Sequence, residues 1–214
     1  MKIRKDVFIS TFIIVAGIFV LGLYLGSKLD SYRIDDLKMQ IGKSELDAES
    51  FIIEMGFVDS FSENKCVIVK PIIDELSGEL GEIGKTLTKY DERGIFDKNE
   101  YDILKRRYFI LEIKAYTLRK ELKEECDEDK NVILYFYDIN NNEESLRQGY
   151  VLDSMVNRNQ DITVFSIDRE FKEPLLETVK RHYNVTKGPT IILNFNKKFE
   201  GFTSEAEIAN VIRN

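Results

Sequence analysis

The chain has 214 residues, a formal net charge of −7, two cysteines, three prolines and one histidine. Beyond residue 28 it holds 27 basic and 37 acidic residues, a formal charge of −10. A surface of that sign repels phosphate backbones, so no nucleic-acid partner is expected. The scarcity of proline and the lack of a Gly/Ser-rich tract exclude a long flexible linker.

Residues 7–26 read VFISTFIIVAGIFVLGLYLG, without charge or proline. About 20 apolar residues at ~1.5 Å rise match a hydrocarbon core of ~30 Å, so a membrane-spanning helix is expected over residues 7–27. A cleaved signal peptide fits less well, since its apolar region would run only ~7–15 residues. Lys2, Arg4 and Lys5 crowd one flank, which keeps the tail 1–6 in the cytoplasm and residues 28–214 outside it. Gly22 and Gly26 form a weak helix-contact motif through which the chain could pair with itself.

Residues 28–59 carry a loose helical period and are expected to be a stalk. Ser60 and Glu63 have capping-box spacing, and Cys66, Val69, Ile73, Leu76, Leu80, Ile83, Leu87 and Tyr90 step by 3 and 4. The break at residues 91–94 precedes a cap of Asp97 with Glu100. Tyr101, Leu104, Tyr108, Leu111, Ala115, Leu118 and Leu122 then repeat the stepping. Two such seams predict an antiparallel helical hairpin over residues 60–129 that buries its own seam or adds a partner helix. Folding it near Gly94 brings Cys66 within about one helical turn, ~5.4 Å, of Cys126. A structural disulfide, free buried thiols and a redox pair all remain open, the first being preferred.

From Asn131 the period changes. Val132–Tyr137, Ile162–Ile167 and Thr190–Phe195 read as strands, with a fourth beginning at Phe199. Between them lie a helix through Leu146, Val151 and Met155, and another at 174–183 with Leu175, Leu176 and Val179 inward. Ser204 caps a last helix. The order is β-α-β-α-β-β-α.

Over residues 130–214 this pattern resembles the thioredoxin superfamily, most specifically in His182-Tyr-Asn-Val-Thr-Lys-Gly-Pro-Thr190 before a strand. The resemblance implies a cis peptide before Pro189 and a polypeptide-binding loop at Thr186, Lys187, Gly188, Pro189 and Thr190, with Gly188 offering its backbone. The family's C-x-x-C positions hold Asn141, Asn142, Glu143 and Glu144. Without a thiolate there, thiol–disulfide exchange lacks its nucleophile. Those residues suit capping at the positive end of a helix dipole instead.

The expected fold class is therefore α/β (α+β overall), with a membrane helix, a stalk, a hairpin and a thioredoxin-like domain on a four-stranded mixed sheet. No cofactor and no metal site are expected; His182 is read as packing, and Asn184-Val-Thr186 is a glycosylation sequon beside the Pro189 loop. The expected function is that of a membrane-anchored, redox-inactive adaptor or chaperone-like module for extracytoplasmic or membrane proteins. Its partners are then the lipid bilayer and a polypeptide, with self-association through the membrane helix or the hairpin. The alternatives are a thiol–disulfide oxidoreductase using Cys66 and Cys126, or a structural subunit of a membrane complex.

Overall fold

The computed structural model describes residues 12–26, 28, 50–56, 58, 65–93, 98–126, 129–139 and 143–213. The chain divides into two compact units, Met1–Ser62 and Glu63–Asn214. In the first, residues 12–26 form helix α1, exposed along its whole length, and residues 50–56 are also helical. Residues 1–11, 27 and 29–49, with both ends of the expected span and most of the stalk, lie outside the described residues. Among the described residues no helix is long and apolar enough to cross a membrane.

The second unit begins with the hairpin, α2 (Lys65–Arg93) and α3 (Lys98–Glu125). Helix α2 ends at Arg93, within the break expected at residues 91–94; Gly94 and residues of the two expected capping boxes lie outside the described set. Val69, Ile73, Leu76 and Ile83 are buried on α2, and Ala115, Leu118 and Leu122 on α3, so both seams face inward as their spacing requires. Cys66 and Cys126 form a disulfide with Cα atoms 5.7 Å apart, which closes the hairpin's open end beside a Lys65–Glu125 ion pair.

The sheet that follows contains β1 (Asn131–Tyr137), β2 (Ile162–Asp168), β3 (Thr190–Leu193) and β4 (Lys197–Glu200), in the order β2-β1-β3-β4. β1 pairs parallel with β2 and antiparallel with β3, and β3 pairs antiparallel with β4, giving the expected mixed sheet. Helices α4 (Glu143–Arg158) and α6 (Glu205–Ile212) pack Leu152, Met155 and Ile208 on Ile133, Tyr135, Ile191 and Leu193. Alternation along β1 turns Val132, Leu134 and Phe136 to the opposite face, where they are also buried. Between β2 and β3 lies α5 (Pro174–His182), with Leu176 fully buried. Ser204 and Glu207 close a complete capping box on α6.

Three details depart from the sequence reading. The third strand stops at Leu193 and the fourth starts at Lys197, because Asn194 and Phe195 take φ values of 48° and 68°. A phenylalanine there is costly. Its ring packs on Tyr116 of α3 at 4.9 Å between centroids, a contact that offsets the backbone preference. In α4 the inward face is Ser145, Gln148, Leu152 and Met155, which leaves Leu146 exposed. Polar bonds set that phase: the Tyr135 hydroxyl donates to the Ser145 carbonyl at 2.5 Å, and the Thr203 N–H donates to Gln148 Oε1 at 2.7 Å.

The largest departure is in α3. The helix buries a second stripe, Lys105, Phe109, Glu112, Tyr116 and Arg119, also stepping by 4 and 3. This stripe lies against the sheet, chiefly β2. The Lys105 ammonium bonds Asp168 at 2.8 Å with both groups buried. Tyr116 meets Phe165 edge-on, and its hydroxyl lies 2.8 Å from that of Tyr183. The buried Glu112 carboxyl faces the Tyr108 hydroxyl and the Ser166 backbone, and its Oε2 has no hydrogen-bond partner among the described residues. Burial pushes the Glu112 carboxyl up to about 8, against the lowering pull of those two groups.

Two expectations follow. Replacing Cys66 or Cys126 by serine frees a 60-residue loop in the unfolded chain and lowers stability by about 2–4 kcal/mol, read by denaturant titration of full-length chain. Glu112 binds its proton more tightly folded than at its ordinary value of 4.5, so its contribution is full below that pH and is lost as pH rises through about 8. Between about pH 5 and about pH 9 the fold loses stability on the order of a few kcal/mol, and Glu112→Gln flattens that part of the profile.

Candidate functional site

The site grows from the carboxyl end of β1. Strand pairing carries Tyr137 to its end and presents Asp138 at the mouth of the sheet. The Asp138 backbone N–H donates to Ser145 Oγ at 3.1 Å, which ties the start of α4 to the strand. Its carboxylate turns the other way. Oδ2 accepts the Gly188 N–H at 3.1 Å, and Oδ1 accepts Arg169 Nε at 2.5 Å. The Gly188–Pro189 peptide is cis, as the resemblance implied.

The loop around that peptide is held from every side. Thr190 Oγ1 donates to the Lys187 carbonyl at 2.7 Å, and the Gly201 N–H donates to the Pro189 carbonyl at 2.8 Å. Pro189 and Thr190 are buried, whereas Thr186 and Lys187 are exposed. Gly188 is required at its position for room: a Cβ would lie 2.8 to 2.9 Å from the Asp138 carboxyl atoms. Sequence reading assigned the Gly188 backbone to a polypeptide partner and gave Asp138 no role; the Gly188 N–H is taken by Asp138. Only the loop residue after a strand hinted at it, and such residues are seldom distinctive.

Glu143 and Glu144 open α4, exposed, in its first turn, where carboxylates complement the positive end of the helix dipole. Asn141 and Asn142 lie outside the described residues. The sulfurs of Cys66 and Cys126 are bonded to each other in the hairpin. What meets the Gly188 bend is the carboxylate–guanidinium pair of Asp138 and Arg169. That arrangement can hold and orient a backbone; it carries no nucleophilic sulfur.

His182 is exposed and packs its ring edge-on against that of Tyr183, with centroids 4.6 Å apart. Asn184 and Thr186 of the sequon are exposed as well. Among the described residues no group of three or more His, Cys, Asp or Glu side chains is placed to hold a metal ion.

A separate cleft of about 570 Å³ opens on the other side of Asp138, between α4 and the ends of β1 and β2. Its walls include Tyr135, Tyr137, Leu146 and Tyr150. Burial, with lesser contributions from the Asp138 and Asp153 carboxylates, pushes the Tyr135 phenol up to about 12 although its bond to Ser145 lowers it.

The β-α-β-α-β-β-α order, the mixed sheet in the order β2-β1-β3-β4 and the helices on it make residues 131–212 a thioredoxin-like fold. No family model matches the chain, and no curated protein matches it. Solved structures similar to it include a malarial protein, 22% identical, covering 39% of this chain and 94% of its own, with a TM-score of 0.34. Thioredoxin-2 of the malaria parasite is 22% identical, covering 40% and 84%, at 0.34. Thioredoxin of Fasciola hepatica is 16% identical, covering 46% and 91%, at 0.36.

The Asp138–Gly188 contact yields a test. Gly188→Ala places a methyl against a carboxylate that is pinned by Arg169, and lowers stability by about 1–3 kcal/mol. In an Asp138→Ala background the added cost of Gly188→Ala falls well below that, a coupling read by a double-mutant cycle in chemical denaturation.

Proposed function

We propose that this chain is a membrane-tethered, thioredoxin-like module that holds polypeptide and does not exchange thiols with it. The observation that carries the reading is the occupant of the Gly188–Pro189 bend. An Asp138–Arg169 ion pair stands against it, while both cysteines of the chain are joined to each other in the hairpin. Thiol–disulfide exchange needs a thiolate that can reach its target, and a cross-link that closes the hairpin serves the fold.

In this reading the exposed Thr186 and Lys187 are the polypeptide-facing part of the loop. Asp138 fixes the bend by taking the Gly188 N–H, so Gly188, Pro189 and Thr190 act as its frame. Backbone pairing beside such a bend is a form of strand addition, with side-chain preference supplied by neighbouring pockets.

The tether is supported by α1, whose Phe12, Ile13, Ile14, Ile18, Phe19 and Leu23 are all more than half exposed. A continuous apolar helix of this kind is stabilised when lipid covers it. The basic flank of Lys2, Arg4 and Lys5 favours a cytoplasmic N-terminus, and a disulfide suits the oxidising side of a membrane.

Two assays on full-length chain separate holding from exchange. Light scattering from a denatured client diluted out of guanidinium is suppressed by the chain, and the Cys66→Ser/Cys126→Ser pair suppresses it equally at a temperature where that variant is folded. Reductant-driven precipitation of insulin is not accelerated. Acceleration that disappears with either cysteine substitution would replace this reading with an oxidoreductase.

A further inference from the structure

We propose that the cleft between α4 and the ends of β1 and β2 docks an extended polypeptide segment with two basic side chains about four residues apart and an apolar one between them. This deepens the binding-module reading and rests on it, but at a surface separate from the Gly188–Pro189 bend.

The recognition pattern is written along α4. Glu143, Leu146, Tyr150 and Asp153 follow one another at helical steps of 3, 4 and 3, and all four line the cleft. They form one stripe with a carboxylate at each end and apolar groups in the middle. Ten residues of helix rise ~15 Å, the length of four to five residues of extended chain at ~3.3 Å each. In an extended segment the residues at i, i+2 and i+4 point the same way. Basic, apolar and basic side chains at those positions match the stripe in register.

The apolar groups are uncovered. Leu146 is 60% exposed, Tyr150 65% and Ile139, on the opposite wall, 55%. This exposure follows from the phase of α4, which the Tyr135–Ser145 and Gln148–Thr203 bonds fix with Leu146 outward. The carboxylates are available too: among the described residues neither Glu143 nor Asp153 has an ion-pair partner, whereas Asp138 is committed to Arg169.

The charged side chains that line the cleft, Asp138, Glu143 and Asp153, are all acidic, and of these Asp138 is neutralised by Arg169. A cation entering such a cleft gains from the carboxylates and from the faces of the tyrosines together. The same charges disfavour an anionic lipid surface, and the acidic balance beyond residue 28 disfavours a second copy of the chain.

The test uses full-length chain and fluorescein-labelled peptides followed by anisotropy. The probe is Arg-Ser-Leu-Ser-Arg-amide with the dye joined to its N-terminus through a β-alanine spacer, and the comparisons carry Glu for both Arg, or Ser for Leu. The basic probe binds with an affinity that falls as salt rises. The acidic peptide does not bind, and loss of the leucine weakens binding. Glu143→Gln/Asp153→Asn weakens the basic probe about tenfold and removes most of its salt dependence, as expected for two exposed charge contacts. Tyr150→Ala weakens it separately, with the double variant as the reference should Tyr150→Ala perturb folding.

Equal binding of acidic and basic probes, or an unchanged affinity in the double variant, overturns the proposal. Concentration-dependent self-association that the double variant abolishes would assign the cleft to a second copy and overturn it as well. Client holding without binding of the basic probe sinks the cleft assignment alone. Probe binding without client holding sinks the broader function and leaves the cleft standing.

Discussion

The lateral docking of α3 on β2 is the constraint on which the rest of the second unit depends. A helical hairpin joined to a small sheet could stand apart from it, but α3 carries two buried stripes and so belongs to two layers at once. One stripe meets α2. The other brings Lys105 to Asp168 and Glu112 to the Ser166 backbone. Removing charged groups from water is expensive, and a buried pair is tolerated only with good geometry and further hydrogen bonds. Those polar contacts supply register more than they supply net stability, while the aromatic contacts of Tyr116 with Phe165 and Phe195 supply the burial.

Because α3 is fixed to the sheet, the hairpin's other end is fixed as well. Cys66 and Cys126 cross-link α2 to the segment that leads directly into β1. Hairpin and sheet therefore share one compact unit. The disulfide closes the hairpin at the end from which the chain enters the sheet.

Asp138 divides the functional surface. Its backbone serves α4 through Ser145, and its side chain serves the cis-peptide loop through Gly188 and Arg169. On one side lies a loop whose bend is framed internally. On the other lies a cleft with uncovered apolar side chains and the carboxylates of Glu143 and Asp153, which have no ion-pair partner among the described residues. A carboxylate at this junction orders the mouth of the sheet with hydrogen bonds to a charged acceptor, the stronger class of such bonds.

Much of the fold was legible in the sequence. Apolar runs of β-rich composition located the first three strands, Ser204 announced itself as the cap of the last helix, and the two seams gave the hairpin, with the cysteines at its open end; the fourth strand, expected from Phe199, begins at Lys197. Each of these is encoded locally, by spacing or by residues a few positions apart. The second stripe of α3 was not legible, since Lys105, Glu112 and Arg119 read as a solvated face until a partner for each is known. Nor was the phase of α4, where Leu146 outranks Ser145 and Gln148 in hydrophobicity but loses the inward position to bonds with Tyr135 and Thr203. The Asp138–Gly188 contact spans fifty residues and leaves no periodic trace. Periodicity reports what one element prefers alone; which of its faces is buried, and against which polar group, is decided by hydrogen bonds and ion pairs that form only once distant segments share the same space.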